Sequence, residues 1–276
     1  WVEHERHGFD YSDRNQIKDQ RQKIRNAVKK YKNHPALLLW GLGNEMEDPT
    51  FKGENKIVLR EVNELAKIVK KEDPHHPVMT VIAGLGTNKA VHIERNCPEI
   101  DILGINAYAG ATRVATELAK QGWKKPYMLT EFGPLGHWEV QKTSWDAPIE
   151  PTSEEKAQTY LAAHQHAVME SKGQCLGTFA FYWGSKQECT ATWFGMFLSS
   201  GEHLSAVDAM SYAWSGRYPN NRAPQLQTLS SPAALKKIKR GSAQFAHVEA
   251  VDPDGDELSY EWIVVAESSD KKVGGD

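Results

Sequence analysis

The sequence lacks three features that would assign it to particular classes of protein. Its 276 residues include only three cysteines, Cys97, Cys175 and Cys189, and their spacing matches no zinc-binding pattern. No apolar run approaches the roughly 20 residues that a membrane-spanning helix needs. The formal net charge is -3, so the basic surplus of a nucleic-acid-binding protein is also missing. We therefore expect buried free thiols (with a Cys175–Cys189 disulfide as the alternative), no membrane span and no nucleic-acid partner.

Two glutamates stand where apolar, strand-like runs end. Glu45 follows residues 37–44, and Glu131 follows residues 126–130. A carboxylate is costly at the end of a buried strand unless it has a partner or a function. The two positions are 86 residues apart, which corresponds to about three βα units of roughly 30 residues each. Paired carboxylates of this kind are typical of retaining glycosidases, in which one is the acid/base and the other the nucleophile.

Predicted strands alternate with amphipathic helices over the first 218 residues. The strands begin at Leu37, Val78, Ile102, Tyr127 and Gly177, and the helices cover residues 15–33, 54–72, 90–95, 112–121, 153–172 and 205–214. This alternation predicts an α/β fold with a parallel sheet. Residues 1–7 resemble the end of one more strand. We therefore expect an arc of strands whose C-terminal ends share one rim, in an N-terminally incomplete chain.

The two glutamate-containing runs resemble a known family. Residues 40–45, Trp-Gly-Leu-Gly-Asn-Glu, are similar to the acid/base strand of the clan A retaining (β/α)8-barrel glycoside hydrolases. Residues 130–133, Thr-Glu-Phe-Gly, are similar to their nucleophile strand. In detail, residues 1–218 look like the catalytic barrel of glycoside hydrolase family 2 and its β-glucanase relatives. The resemblance implies a partial (β/α)8 TIM barrel with strands 3/4 to 8, a carbohydrate substrate, and no metal or organic cofactor.

The resemblance also implies roles for individual residues. Glu45 would be the general acid/base and Glu131 the nucleophile. Asn44 would hydrogen-bond the sugar 2-hydroxyl, Tyr108 would donate to Glu131, and Trp183 would form an apolar floor under the sugar ring. Each residue also has a structural interpretation: a strand-end salt bridge for the glutamates, a turn cap for Asn44, and simple packing for the two aromatic residues.

Further substrate contacts are predicted in the loops of the same rim. Glu5 and His7 fall where the third barrel strand should end, and the resemblance places polar sugar contacts there. A charged surface turn explains the two residues equally well. The long loop of residues 134–151 contains His137 and Trp138, and loops at this rim of a barrel form the substrate cleft.

The composition changes after Tyr218. Residues 219–225 resemble a linker, and beyond them alternating runs at 243–250 and 258–265 flank an Asp-Gly turn, which predicts an antiparallel hairpin. Residues 226–276 resemble the start of a PKD-, Ig- or cadherin-like β-sandwich module, which needs about 100 residues when complete. The alternating Asp252, Asp254 and Asp256 leave a calcium site open, with a plain turn as the favoured interpretation.

The sequence as a whole predicts a retaining β-glycoside hydrolase that cleaves β-linked oligo- or polysaccharides by double displacement, with a β-glucan or a β-galactoside as substrate. The β-sandwich segment favours an extracellular or periplasmic location. The alternative is a non-catalytic carbohydrate-binding protein or an inactive fragment of such an enzyme. The sequence leaves open the linkage, endo or exo action, and the oligomeric state.

Overall fold

The computed structural model describes residues 2–47 and 55–269. They divide into two compact units, one containing residues 2–47, 55–131 and 166–179 and the other residues 132–165 and 180–269. The helices are α1 (Arg14–Tyr31), α2 (Lys56–Glu72), α3 (Lys89–Asn96), α4 (Val114–Lys120), α5 (Ser153–Ala167) and α6 (Ser205–Ser215). The strands are β1 (Trp40–Asn44), β2 (Val78–Ala83), β3 (Ile102–Asn106), β4 (Tyr127–Phe132), β5 (Cys175–Ala180), β6 (Gln225–Ser230) and β7 (His247–Val251).

Strands β1 to β5 form one sheet in chain order. β1 pairs with β2, β2 with β3 and β3 with β4, and each of these pairs is parallel. All five residues of β3 are buried, as expected for a parallel sheet that is covered on both faces. The predicted α/β fold and strand order are therefore confirmed, and the sheet has five strands within the described part of the chain.

The packing of α2 explains how the sheet is covered. The helix contacts α1, α3, β1 and β2. Its buried apolar side chains recur at helical spacing, as the sequence predicted, and they are Val58, Leu59, Val62, Leu65, Ala66 and Val69. An amphipathic helix between two strands is the usual crossover of a parallel sheet, and it fixes the C-terminal ends of β1 and β2 at the same edge.

The beginning of the described chain differs from the prediction. Residues 2–7 form no strand, and Glu5–His7 form a short 3-10 helix instead. The backbone N–H groups in this turn bond locally, because Arg6 donates to Nδ1 of His4, and His7 donates to the His4 carbonyl. A strand would need these donors for a neighbour. The expectation that this segment ends a strand was therefore wrong.

β1 begins three residues later than predicted. Leu38 is 69% exposed and precedes the strand. The backbone N–H of Trp40 donates to the Pro77 carbonyl at 2.9 Å, directly before β2 begins at Val78. The strand therefore starts where a neighbouring strand offers a hydrogen-bond partner, and apolar composition alone did not show that position.

Two further elements differ from the prediction. The last predicted strand begins at Gly177, but β5 covers Cys175–Ala180, and beyond it the Tyr182 N–H donates to the Phe194 carbonyl. Helix α5 covers Ser153–Ala167, which is shorter than the predicted 153–172, and it is capped by Thr152. Thr152 Oγ1 accepts from the Glu155 N–H, and Glu155 Oε2 accepts from the Thr152 N–H, which is a capping box.

The C-terminal part contains an antiparallel pair, β6 and β7. The predicted hairpin is wrong in detail, because residues 258–265 form no strand. Asp252 Oδ1 accepts hydrogen bonds from the backbone N–H groups of Asp254 and Asp256, which makes a local Asx-type turn. The β-sandwich assignment and the domain bounds 1–218, 219–225 and 226–276 stay predictions.

The segment predicted as a linker is anchored by side chains of its own unit. Ala223 donates its N–H to Asp208 Oδ2 at 2.9 Å, and Arg222 donates its N–H to Asp254 Oδ2 at 2.6 Å. The Arg222 guanidinium lies over the Tyr218 ring at 3.9 Å. These contacts fix the chain immediately before β6 starts.

The thiols and the helices fit the compositional expectations. All three cysteines are buried, and Cys97 and Cys175 are free thiols, so the alternative Cys175–Cys189 disulfide is not formed. Burial raises the pKa of the Cys97 thiol to about 12. Within residues 2–47 and 55–269, no helix combines the length and apolarity that crossing a membrane requires.

Asp73 fixes the turn between α2 and β2. The residue is 1% exposed, and burial alone would raise the pKa of its carboxyl group. Donors from the Trp40 indole, at 2.9 Å, and from His75 and His76 outweigh burial and lower the pKa to about 2. The ionised carboxylate therefore stabilises the fold where it joins the start of β1 to the start of β2.

We predict that Asp73→Asn lowers the free energy of unfolding at pH 7 by roughly 2 kcal/mol. Because the folded pKa lies below the unfolded value, this contribution is complete above about pH 5 and is lost as the pH falls toward 2. The difference between wild type and variant should therefore shrink on acidification. Urea unfolding at several pH values measures it, with Asp19→Asn on the exposed face of α1 as the control. A difference that does not depend on pH would contradict the assignment.

Candidate active site

The strands that carry Glu45 and Glu131 both contain one extra residue just before the glutamate. Gly41 pairs with Met79, whereas Asn44 pairs with Val81, so β1 has three steps against two in β2. On the other side, Ile105 pairs with Leu129 and Asn106 with Glu131. Such bulges bend a strand and change the direction of its side chains. Both glutamates therefore follow an irregularity of the same kind, Glu45 directly after β1 and Glu131 within β4.

The bulge in β1 depends on Gly43. Its φ is 78°, in the left-handed region, and a Cβ at this position would lie 2.3 Å from the Met46 Cγ. The Leu42 carbonyl, which the bulge displaces, accepts from the buried Thr80 hydroxyl at 2.7 Å. The Gly-Leu-Gly-Asn-Glu sequence therefore encodes the local geometry that presents Asn44 and Glu45.

Asn106, at the end of β3, connects the two glutamate strands. The residue is 5% exposed, and its Nδ2 donates to Glu45 Oε1 at 2.9 Å and to Asn44 Oδ1 at 3.1 Å. Its Oδ1 accepts from the Thr130 hydroxyl at 2.8 Å, which fixes the orientation of the amide. A single side chain thus links the C-terminal ends of β1, β3 and β4.

Tyr108 contacts the second glutamate. Its hydroxyl donates to Glu131 Oε2 at 3.0 Å, and the Ala107 N–H donates to the Glu131 carbonyl at 2.8 Å. A hydroxyl donor at this oxygen favours the ionised carboxylate that a nucleophile requires. The structure therefore brings the predicted residues Asn44, Glu45, Tyr108 and Glu131 to one edge of the sheet in one unit.

His4 and Asn106 belong to this arrangement, although the sequence analysis named neither. His4 Nε2 lies 3.0 Å from the Glu45 carbonyl oxygen. Asn106 could have been recognised, because it stands two residues before Tyr108 on a buried strand, and a buried amide needs partners. His4 gave no such signal, since its contact spans 41 positions in the sequence.

The structure places Glu5 and His7 away from the contact between His4 and the Glu45 carbonyl. Both side chains are exposed. Glu5 Oε2 accepts from the Asn55 amide at 2.8 Å, and the His7 ring contacts the His4 ring edge to face at 6.2 Å. His4 is thus the residue of this segment that reaches Glu45, and the predicted sugar contacts of its two neighbours stay predictions.

The other predicted binding residues lie in the second unit. His137 is buried, with its Nε2 3.4 Å from Glu188 Oε1, and its ring contacts that of Trp138 at 4.9 Å. Trp138 is 44% exposed. Trp183 is 59% exposed and rests edge to face on Phe197 at 5.0 Å. Their exposure leaves both indoles accessible to a sugar ring, and their roles in binding stay predictions.

Acidic and histidine side chains can also act as metal ligands. Among the residues that the structure describes, no group of three or more His, Cys, Asp or Glu side chains is arranged to hold a metal ion.

Comparison with known proteins finds a family model that matches part of the chain. Residues 6–139 match the family model described as "Glycosyl hydrolases family 2, TIM barrel domain". This range includes all the residues of the Glu45 and Glu131 arrangement except His4. A search of curated proteins finds no match.

Solved structures share the fold at low sequence identity. The Bifidobacterium dentium β-glucuronidase complexed with coumarin-3-O-glucuronide is 17% identical with a TM-score of 0.56, and the match covers 76% of this chain and 35% of that protein. The Eisenbergiella tayi family 2 β-galacturonidase bound to galacturonate is 16% identical with a TM-score of 0.53, covering 75% of this chain and 38% of that protein. A thermostable mutant of a Cellvibrio japonicus xylanase is 14% identical with a TM-score of 0.55, and the match covers 75% of this chain and 73% of that protein.

The chain thus spans about a third of the length of the first two structures. At these identities the structural matches show the fold. Residues 6–139 of this chain match the TIM barrel domain of glycosyl hydrolases family 2, and the shared fold agrees with that match.

Proposed function

We propose that this protein is a retaining β-glycoside hydrolase with Glu45 as the acid/base and Glu131 as the nucleophile. One observation carries the proposal: both carboxylates stand at the C-terminal edge of the sheet, each with a specific neutral donor on one oxygen. Catalytic residues of TIM barrel enzymes occupy this edge. The donor to Glu45 Oε1 is an amide, and the donor to Glu131 Oε2 is a phenol.

Glu131 would form the covalent intermediate. Its carboxylate attacks the anomeric carbon, the bond to the leaving oxygen breaks, and a glycosyl ester results. Tyr108 holds Oε2 by its hydroxyl, so Oε1 is the oxygen that is directed to the sugar. The same hydroxyl stabilises the carboxylate again when the ester is hydrolysed.

Glu45 would transfer the proton in both steps. As an acid it protonates the leaving glycosidic oxygen, and as a base it then removes a proton from the attacking water. The Asn106 amide donates to Oε1, which makes this oxygen an acceptor and leaves Oε2 to carry the proton. Asn44, oriented by the same amide, is placed to contact the sugar beside the scissile bond.

The substrate class is proposed from the same reasoning and from the structural neighbours. We propose a β-linked glycoside, with a β-glucan or a β-galactoside as the first candidates. Because the neighbouring structures include proteins named as a β-glucuronidase and a β-galacturonidase, β-uronides belong in the substrate panel. Activity should be tested with the p-nitrophenyl and 2,4-dinitrophenyl β-glycosides of glucose, galactose, glucuronate and galacturonate.

We predict that Glu131→Ala and Glu45→Ala respond differently to azide on the 2,4-dinitrophenyl β-glycoside that the wild type hydrolyses. Glu131→Ala should lose turnover, since no ester forms, and azide should restore some activity with an inverted α-glycosyl azide as product. Glu45→Ala should still form the ester, because this leaving group needs no proton, and azide should give the retained β-azide. Product configuration is read by NMR.

The matched control is Glu64→Ala, a half-exposed glutamate of α2 that pairs with Lys67. It should keep wild-type kinetics and show no azide effect. Azide products of exchanged configuration would reverse the two roles. Near-normal activity of both active-site variants would instead favour structural glutamates and a carbohydrate-binding protein.

We also predict that Asn106→Leu lowers kcat/KM by about 10- to 100-fold, because a hydrogen bond to a charged group typically contributes about 1.5–3 kcal/mol. Thr130→Val removes only the donor that orients this amide, so its loss should be smaller, about 3-fold or more. Steady-state kinetics measure both variants, and circular dichroism checks their folding. An equal loss in the two variants would show that the amide orientation, and not its donor, controls the rate.

A further inference from the structure

Glu45 departs from the regular hydrogen-bond ladder between β1 and β2. In a regular parallel pair, the N–H and the carbonyl of one residue bond to two residues of the neighbouring strand. The residue that donates to the carbonyl lies two positions after the residue that accepts from the N–H. The Glu45 N–H donates to the Val81 carbonyl at 2.9 Å, so regular pairing would have the Ala83 N–H donate to the Glu45 carbonyl. Glu45 has a φ of 53°, however, and its carbonyl bonds to His4 instead.

The Glu47 side chain takes the vacated place in the ladder. Its Oε1 accepts from the Ala83 N–H at 2.6 Å. A carboxylate thus replaces the backbone carbonyl that Glu45 has turned away. The exchange leaves the end of β2 fully hydrogen-bonded while β1 leaves the sheet, which a buried strand end requires.

Lys89 supports this substitution from the start of α3. Its Nζ lies 2.9 Å from Glu47 Oε1 and also donates to the Ala83 carbonyl. Glu47 is 4% exposed and Lys89 is 8% exposed, so the pair is shielded from solvent. A buried carboxylate needs such a counter-ion. Both polar groups of Ala83 are therefore held by one buried ion pair.

We propose that the Glu47–Lys89 pair is a positioning device for Glu45. By replacing the ladder bond, it lets Glu45 keep a left-handed backbone, which is unfavourable for a residue with a side chain. That backbone directs the Glu45 carboxylate toward the Asn106 amide. The inference rests on the proposed function, since it assigns the pair to the acid/base step and leaves the nucleophile unaffected.

The test compares leaving groups. A 2,4-dinitrophenyl glycoside needs no acid catalysis for ester formation, whereas the methyl or phenyl glycoside of the same sugar does. Glu47→Leu, which has no acceptor for the Ala83 N–H, should lower kcat/KM for the poor leaving group at least about 10-fold more than for the dinitrophenyl glycoside. Azide should also accelerate its turnover of the dinitrophenyl substrate and give the β-azide.

Two variants separate positioning from stability. The double variant Glu47→Gln/Lys89→Met keeps an oxygen for the Ala83 N–H without burying a charge. It should therefore restore most of the wild-type ratio of kcat/KM for the poor leaving group to kcat/KM for the dinitrophenyl glycoside. Lys70→Met breaks the Lys70–Asp101 pair, with its 2.7 Å contact, near the opposite ends of β2 and β3. It should lower the melting temperature and leave the ratio unchanged.

Four results would count against the inference. If Glu47→Leu lowers kcat/KM equally for the poor leaving group and for the dinitrophenyl glycoside, the pair has a merely structural role. A change in the ratio of these two kcat/KM values in Lys70→Met would show the same. If Glu47→Leu fails to fold, the double variant decides. A ratio of kcat/KM for the poor leaving group to kcat/KM for the dinitrophenyl glycoside that is lower than in Lys70→Met would show that an oxygen at the Ala83 N–H does not position Glu45. A wild-type protein inactive on every glycoside of the panel would overturn the proposed function first, and the inference with it.

Discussion

The arrangement at the sheet edge depends on satisfying one buried amide. Asn106 is almost fully buried, and its donor and acceptor atoms find partners on β1 and β4, the strands that carry the two glutamates. An unpaired buried amide costs free energy comparable to a lost hydrogen bond. Its partners Asn44, Glu45 and Thr130 lie beside the extra residue of each glutamate strand. The polar groups at the end of β3 are therefore satisfied where β1 and β4 are irregular.

Irregularity of this kind has to be supported by regular structure nearby. β2 and β3 pair in uninterrupted register from Met79 with Ile102 to Ala83 with Asn106. Their residues are almost all buried, so the middle of the sheet is a rigid reference for the two bulged strands. The left-handed backbone at Glu45 is compensated by contacts from outside the strand, namely His4 and Glu47. Strain at Glu45 is thus balanced by its immediate surroundings.

The sequence predicted the scaffold better than the details of the site. Apolar runs and helical periodicity located β2 and α2 almost to the residue, because burial and the crossover helix determine both. The positions of Glu45 and Glu131 followed from strand ends. His4 and Glu47 were missed because their importance arises from contacts across 41 and 36 positions, which no local pattern records. Asn106 was missed although it had a local signal, an amide on a buried strand. β6 was missed because Gln225–Ser230 alternates only weakly, and its pairing with β7 is what makes it a strand.

The different donors on the two carboxylates explain how similar strand ends could take different roles. The Asn106 amide is a donor that cannot ionise, and it fixes the geometry of Glu45 without supplying or removing a proton. In the proposed mechanism Glu45 is then the group in this contact that exchanges a proton. Tyr108 gives Glu131 a hydroxyl donor, which stabilises negative charge on Oε2. Each neutral donor thus fixes one carboxylate oxygen, and the proposed mechanism assigns the other oxygen to proton transfer at Glu45 and to nucleophilic attack at Glu131.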